Sequence, residues 1–169
     1  MAKIISLRNA QYPLVAHQVL NFSDWCVDAI AGTKKTLGST VVNSSAPSEP
    51  SLTNGKSSLV TIPLFNMPLG AVIIGGSVVT ETAWAGPTAV VDVGQVAAEG
   101  AIDSLITNFD AAATTVAEFA VSTNLRLGCK AGYNLYAGLT LSNVDSTAGR
   151  IHIFVKYIIA GKANEVVPN

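Results

Sequence analysis

The segment Pro68–Trp84, PLGAVIIGGSVVTETAW, constrains the fold of this chain more than any other stretch. Val, Ile and Thr dominate it, and branched side chains fit a pleated, half-buried surface. The run is longer than an ordinary strand of about 5–6 residues. Gly75-Gly76 accounts for the excess, because glycine inside a strand marks a bulge, a bend or a close backbone approach. The expectation is two strand segments joined by a kink, of the kind that carries a strand from one sheet of a sandwich to the other. Strict alternation would put Val72, Ile74 and Val78 on one face and Ile73 and Val79 on the other.

Alternation recurs on both sides of this segment. Leu14–Phe22 places Leu14, Ala16, Gln18, Leu20 and Phe22 on the expected core face and Val15, His17, Val19 and Asn21 opposite. Ser23–Ile30 fits either a helical turn capped by Ser23 or Asp24 or an extended continuation. Gly32–Leu37 resembles a hairpin tip, and residues 42–57, VNSSAPSEPSLTNGKS, form a polar loop. Leu59–Phe65 returns as a strand in which Pro63 removes a ladder donor, implying an edge position or a bulge. Thr88–Val93 is a further short strand.

Gln95–Asn108 is the best helical candidate, with Val96, Ile102, Leu105 and Ile106 on a rough apolar face interrupted by Gly100. Strands are expected again at Thr115–Val121, Asn124–Cys129 and Tyr133–Leu141. Arg150–Ile159 closes the domain, with Ile151, Ile153, Val155, Tyr157 and Ile159 on one face and Arg150, His152 and Lys156 on the other.

About eight strands separated by turn signals, with at most one short helical insert, describe an all-β single-domain sandwich of jelly-roll type. The expected organisation is an N-terminal arm over residues 1–13, a sandwich over 14–160 and a polar tail over 161–169. Charged residues make up only 12% of the chain, about half the usual share, so association protects its surface better than charge does. The net charge of −1 and the absence of a basic cluster beyond Lys34-Lys35 argue against nucleic acid. No apolar run reaches the roughly 18 residues of a membrane span, and the first residues lack the apolar stretch of a secretory signal. In a reducing cytosol Cys26 and Cys129 are expected to be buried thiols; whether they approach one another is open.

Catalysis needs a nucleophile, a base and a stabiliser within reach of one another, and no such set emerges. His17 and His152 sit mid-strand among apolar residues, and two histidines on separate strands without a carboxylate cluster do not define a metal site. Asn54-Gly55-Lys56-Ser57 ends like a phosphate loop, but Pro50 stands where the leading glycine belongs. Asp24 with Asp28, and Glu99 with Asp103, pair at helical spacing, which a solvated helix face explains. No catalytic, cofactor-binding or metal-ligating residue is assigned, and no cofactor is expected.

Proline and small residues leading into GAVIIGGSVVTETAW, then AVVDVG, a variable insert, NLYAGLTLS and STAGRIHIFVKYI, together resemble small structural proteins of tailed bacteriophage virions, in particular head decoration (cement) proteins. The resemblance spans about Leu14–Ile159 and is strongest at Pro68–Gly94 and Ala148–Tyr157. It implies a β-sandwich made in the host cytoplasm that binds the major capsid protein on the outer capsid surface, often as a homotrimer, with no nucleic acid or membrane partner. Tail or head-fibre components share the pattern. The alternative is therefore a receptor- or carbohydrate-binding module, for which Trp25, Trp84, Tyr133 and Tyr136 are the stacking candidates.

Overall fold

The computed structural model describes residues 13–27, 34–39, 59–85, 89–96, 102–121, 133–141 and 146–159. Ten strands follow in order: β1 (Leu14–Asn21), β2 (Trp25–Val27), β3 (Lys34–Thr36), β4 (Leu59–Met67), β5 (Ala71–Thr82), β6 (Ala89–Val96), β7 (Ile102–Asp110), β8 (Val116–Glu118), β9 (Tyr133–Leu141) and β10 (Arg150–Ile159). One sheet has the order β1-β10-β5-β8 and a second the order β4-β9-β6-β7, while β2 and β3 form a separate hairpin. All pairings are antiparallel. With that hairpin set aside, the remaining strands run first-eighth-third-sixth in one sheet and second-seventh-fourth-fifth in the other. This is the double-sheet arrangement of a jelly roll. The described residues contain no helix.

The core is continuous between the two sheets. Leu20, Ile73, Val78, Ile151, Ile153 and Val155 come from the first, and Met67, Val91, Val93, Leu105, Leu135 and Leu139 from the second. Each large aliphatic side chain that is fully withdrawn from water contributes about 1.5–3 kcal/mol. Alternation along β9 and β10 selects the inward residues as the sequence pattern expects, and on β10 Ile151, Ile153 and Val155 are fully buried; on β1 the expected core face is buried only toward its end, at Leu20, while Leu14 and Gln18 are exposed. Trp84 is buried beside the start of β10. Its backbone N–H donates to the Ala111 carbonyl at 2.8 Å, and Gly149 lies so close to its ring that a Cβ there would sit 2.7 Å from Cγ.

The glycine pair acts differently from the expected kink. β5 does not change sheets; it pairs with β10 along its whole length. Its register slips between Ile73 and Gly75, opposite Tyr157 and Lys156, so Ile74 is an extra residue. That bulge resets the alternation. Ile73 and Val78, which strict alternation separates, are both fully buried on the inner face, while Ile74 is exposed. Gly76 follows with φ 155, and a Cβ there would run into the Phe154 carbonyl and lie 2.6 Å from the Phe119 ring. Gly75 has nothing within 4 Å of its Cβ position.

The described part of the expected helix, residues 95–96 and 102–108, is strand: it holds the end of β6 and most of β7, which pair with each other. Val91 faces Phe109 and Val93 faces Ile106, so β7 carries an additional residue there; another is added between Ser104 and Ile106. Asn108 adopts φ 55, and the buried Asp92 carboxylate accepts its backbone N–H at 2.6 Å. These bulges break the two-residue period and bring Leu105, Ile106 and Phe109 into the spacing of a helical face. β4 meets both expectations for Pro63: it lies at a sheet edge, and its register shifts between Pro63 and Phe65.

Lys34-Lys35-Thr36 is the second strand of the hairpin, paired with Trp25–Val27, and not its tip. Asn21–Asp24 is a turn without a helix, in which the Asp24 carboxylate accepts the Asn21 backbone N–H at 2.8 Å. Asp103 lies on strand β7, and Glu99 and Asp28 lie outside the described residues. The loop at 42–57, the strand expected at Asn124–Cys129, residues 1–12 and the tail at 161–169 lie outside the described residues.

Gly76→Ala should destabilise the protein by about 2 kcal/mol or more, from left-handed backbone strain and the clash with Phe119. Gly75→Ala should be neutral or stabilising by up to about 1 kcal/mol, since it fills open space and restricts the unfolded chain. Urea unfolding of the two variants reads the difference, and equal midpoints would contradict this account of the bulge.

Candidate functional site

The outer face of the β1-β10-β5-β8 sheet gathers the most chemistry among the described residues. Register places Val15, His17 and Val19 of β1 beside Lys156, Phe154 and His152 of β10. β10 in turn sets Lys156, Phe154 and His152 against Gly75, Ser77 and Val79 of β5. On β8, Glu118 and Val116 face Ser77 and Val79. Much of this face is apolar and open to solvent: Val15 is 57% exposed, Val116 63% and Ile74 41%.

His17 and His152, read from sequence as separate strand histidines, are brought together. His17 Nε2 lies 3.0 Å from His152 Nδ1. The other nitrogen of His152, Nε2, lies 2.5 Å from Glu81 Oε2. Arg150 Nε reaches the same Glu81 oxygen at 3.1 Å. The His17 ring also stacks on Phe154, with centroids 4.4 Å apart and planes 5° from parallel. A chain of four polar groups therefore crosses three strands, β1 to β10 to β5. Glu81 is available to it because a second register slip, between Arg150 and Ile151, leaves Glu81 as an extra residue at the end of β5.

A carboxylate only accepts, so the proton between Glu81 and His152 belongs to His152 Nε2. The hydrogen bond from His152 outweighs desolvation, the next largest effect, and together with the weaker pull of the Arg150 charge holds the Glu81 carboxyl below the ordinary glutamate value. Among the described residues no group of three or more His, Cys, Asp or Glu side chains is placed to hold a metal ion. The contacts among these four groups tie β1, β10 and β5 together on the outer face.

The aromatic candidates are distributed over separate elements. Trp84 is 1% exposed and belongs to the core. Trp25 is 63% exposed, but the Lys34 ammonium sits 4.3 Å from the centre of its ring. Such exposed cation–π contacts contribute about 0.5–1 kcal/mol. Tyr133 and Tyr136 lie on β9, in the other sheet. Cys26 lies on β2, while Cys129 falls outside the described residues. No helix among the described residues is long and apolar enough to cross a membrane.

Because the folded-state pKa of Glu81 is depressed, its ion-pair contribution to stability is complete above the unfolded value of about 4.3 and disappears as the pH falls through the folded value. Glu81→Gln should therefore leave a small, flat loss of thermal stability at neutral pH that vanishes at the acid end. Melting temperatures measured from neutral pH down to about pH 3 check this, and a loss that grows on acidification would contradict it.

No family model matches this chain, and no curated protein matches its sequence. Two solved structures resemble its fold. A chain of the cyanophage Pam1 capsid asymmetric unit superposes with a TM-score of 0.52 at 16% identity, covering 87% of this chain and 84% of that one. A chain from the structure of infectious bursal disease virus Gx strain gives a TM-score of 0.40 at 13% identity, covering 89% of this chain and 33% of that one, too loose a fit to bear on the comparison. The Pam1 chain shares the jelly-roll fold over most of both chains.

Proposed function

We propose that this protein is a structural component of a virion that binds the outer surface of an icosahedral capsid as a decoration, or cement, protein. The observation that carries the proposal is the fold shared, over most of both chains, with a component of the Pam1 capsid. Stabilising a shell needs area, complementary shape and many copies, and weak identical contacts add through high effective concentration. The surface fits that task. A face bearing Val15, Ile74, Val79, Val116 and Phe154 offers apolar area, and the chain as a whole carries few charges. A receptor- or sugar-binding role draws less support, because Trp84 is buried and Lys34 occupies a face of Trp25.

The partner in this proposal is the major capsid protein, and the form that binds is a homotrimer. Apolar side chains occur on both sides of β5, Ile73 and Val78 inside and Val72, Ile74 and Val79 outside. The outer set is covered most economically by neighbouring subunits, and a closed ring avoids open fibres. Threefold positions on an icosahedral shell favour three copies over two.

Mass spectrometry of purified virions should find this protein at hundreds of copies per particle, as a repeating shell contact requires. A dozen copies or fewer would transfer it to a tail or fibre. Light scattering on the isolated protein should return about three times the 17.4 kDa chain mass. A monomer mass across micromolar concentrations would remove the oligomer, and twice the chain mass would remove the trimer.

A further inference from the structure

We propose that His17 and His152 form a proton-operated clasp that fastens the edge strand β1 to the rest of its sheet. The inference does not depend on a capsid role.

β1 lies at the edge of its sheet and pairs with β10. Its inner face reaches the core through Ala16, Leu20 and, just beyond the strand, Phe22. On its outer face Val15 is mostly exposed, and His17 supplies the side-chain tie, by its stack on Phe154 and its bond to His152.

The tie has a determined proton arrangement. His152 Nε2 carries a proton because Glu81 can only accept. In neutral His152 the other nitrogen, Nδ1, is then an acceptor, so His17 Nε2 must donate to it. One added proton is accommodated. His152 becomes a double donor, and His17 accepts at Nε2 after moving its own proton to Nδ1. A second added proton is not accommodated, because two N–H groups then face each other across 3.0 Å with no acceptor between them.

The planes of the two rings are 7° from parallel, and their centroids are 5.2 Å apart, about the N···N distance plus the two ring radii. They meet edge on, in nearly one plane. The same geometry points the two nitrogens at each other instead of toward a common third point, so the pair suits a shared proton and not a metal ion. The charged groups on this face are Glu81 on β5, Arg150 and Lys156 on β10 and Glu118 on β8; the described part of β1 has none. Glu81 is already shared between His152 and Arg150, which leaves it little capacity to offset a doubly charged histidine pair. Acid pH therefore parts the rings, frees β1 and opens the backbone edge of β10.

Hydrogen exchange on the full chain, corrected for intrinsic rates, tests the clasp at about pH 7.5 and about pH 5, a range that spans ordinary histidine protonation. Protection of β1 amides should fall by about tenfold or more relative to β5 and β6 in the parent protein. His17→Phe retains a ring on Phe154 and takes up no proton, so in that variant the ratio should stay constant. An unchanged ratio in the parent, or an equal fall in His17→Phe, overturns the proposal. Long-range proton–nitrogen NMR of the parent gives a check that needs no variant. At neutral pH both histidines should carry their proton on Nε2, and an Nδ1-protonated tautomer of either one also overturns it.

Discussion

The structure depends on the pairing of β5 with β10 and on the bulge within it. These two strands form the middle of their sheet, and β1 and β8 attach to their outer sides. The bulge at Ile74 sets which residues of β5 enter the core. Without it, Ile73 and Val78 would point to opposite faces, since one residue of slip reverses every side chain beyond it. Gly76 permits the arrangement twice: its backbone takes a φ that side chains disfavour, and its missing Cβ leaves room for Phe119. The Phe119 N–H then donates to the Gly76 carbonyl at 2.9 Å, tying the segment beyond β8 to the same point.

The parts of the fold that were legible in the sequence are those where period two runs unbroken. β1, β9 and β10 have regular pairing with at least one neighbour, and the buried residues of β9 and β10 follow from alternation alone. Pro63 was legible because a missing donor has a fixed consequence in a sheet. β7 was not, since its extra residues opposite β6 turn a strand pattern into Leu105, Ile106 and Phe109, a spacing shared with helices. The device that holds one of these bulges, the Asp92 carboxylate on the Asn108 N–H, joins residues on different strands and leaves no local trace. The sheet-crossing kink failed for a related reason: a glycine pair announces irregular backbone but does not state whether the strand turns or bulges.

The polar chain on the outer face was less legible still. His17 and His152 are separated by 135 positions. They meet because a jelly roll sets its first strand beside its last, a consequence of topology that residue spacing does not encode. Their contact also depends on the exact register of β1 on β10, which places His17 opposite Phe154 and one step diagonally from His152. Glu81 joins only because β5 slips a second time at its end.

The four outer strands differ in how they discourage further pairing. β8 has three residues, too few to template a neighbour. β4 contains Pro63 and an irregular register, and β7 is bulged where it runs along β6. Short length, proline and bulges are the usual defences of sheet edges. β1 has none of them: it runs eight residues in unbroken register, with no proline and no charged side chain. What distinguishes it is the histidine on its outer face, which ties the strand to β10 by side-chain contacts where the other three edges have short length, proline or bulges. The least defended edge of the sandwich is therefore also the one whose attachment, in the proposed clasp, responds to pH.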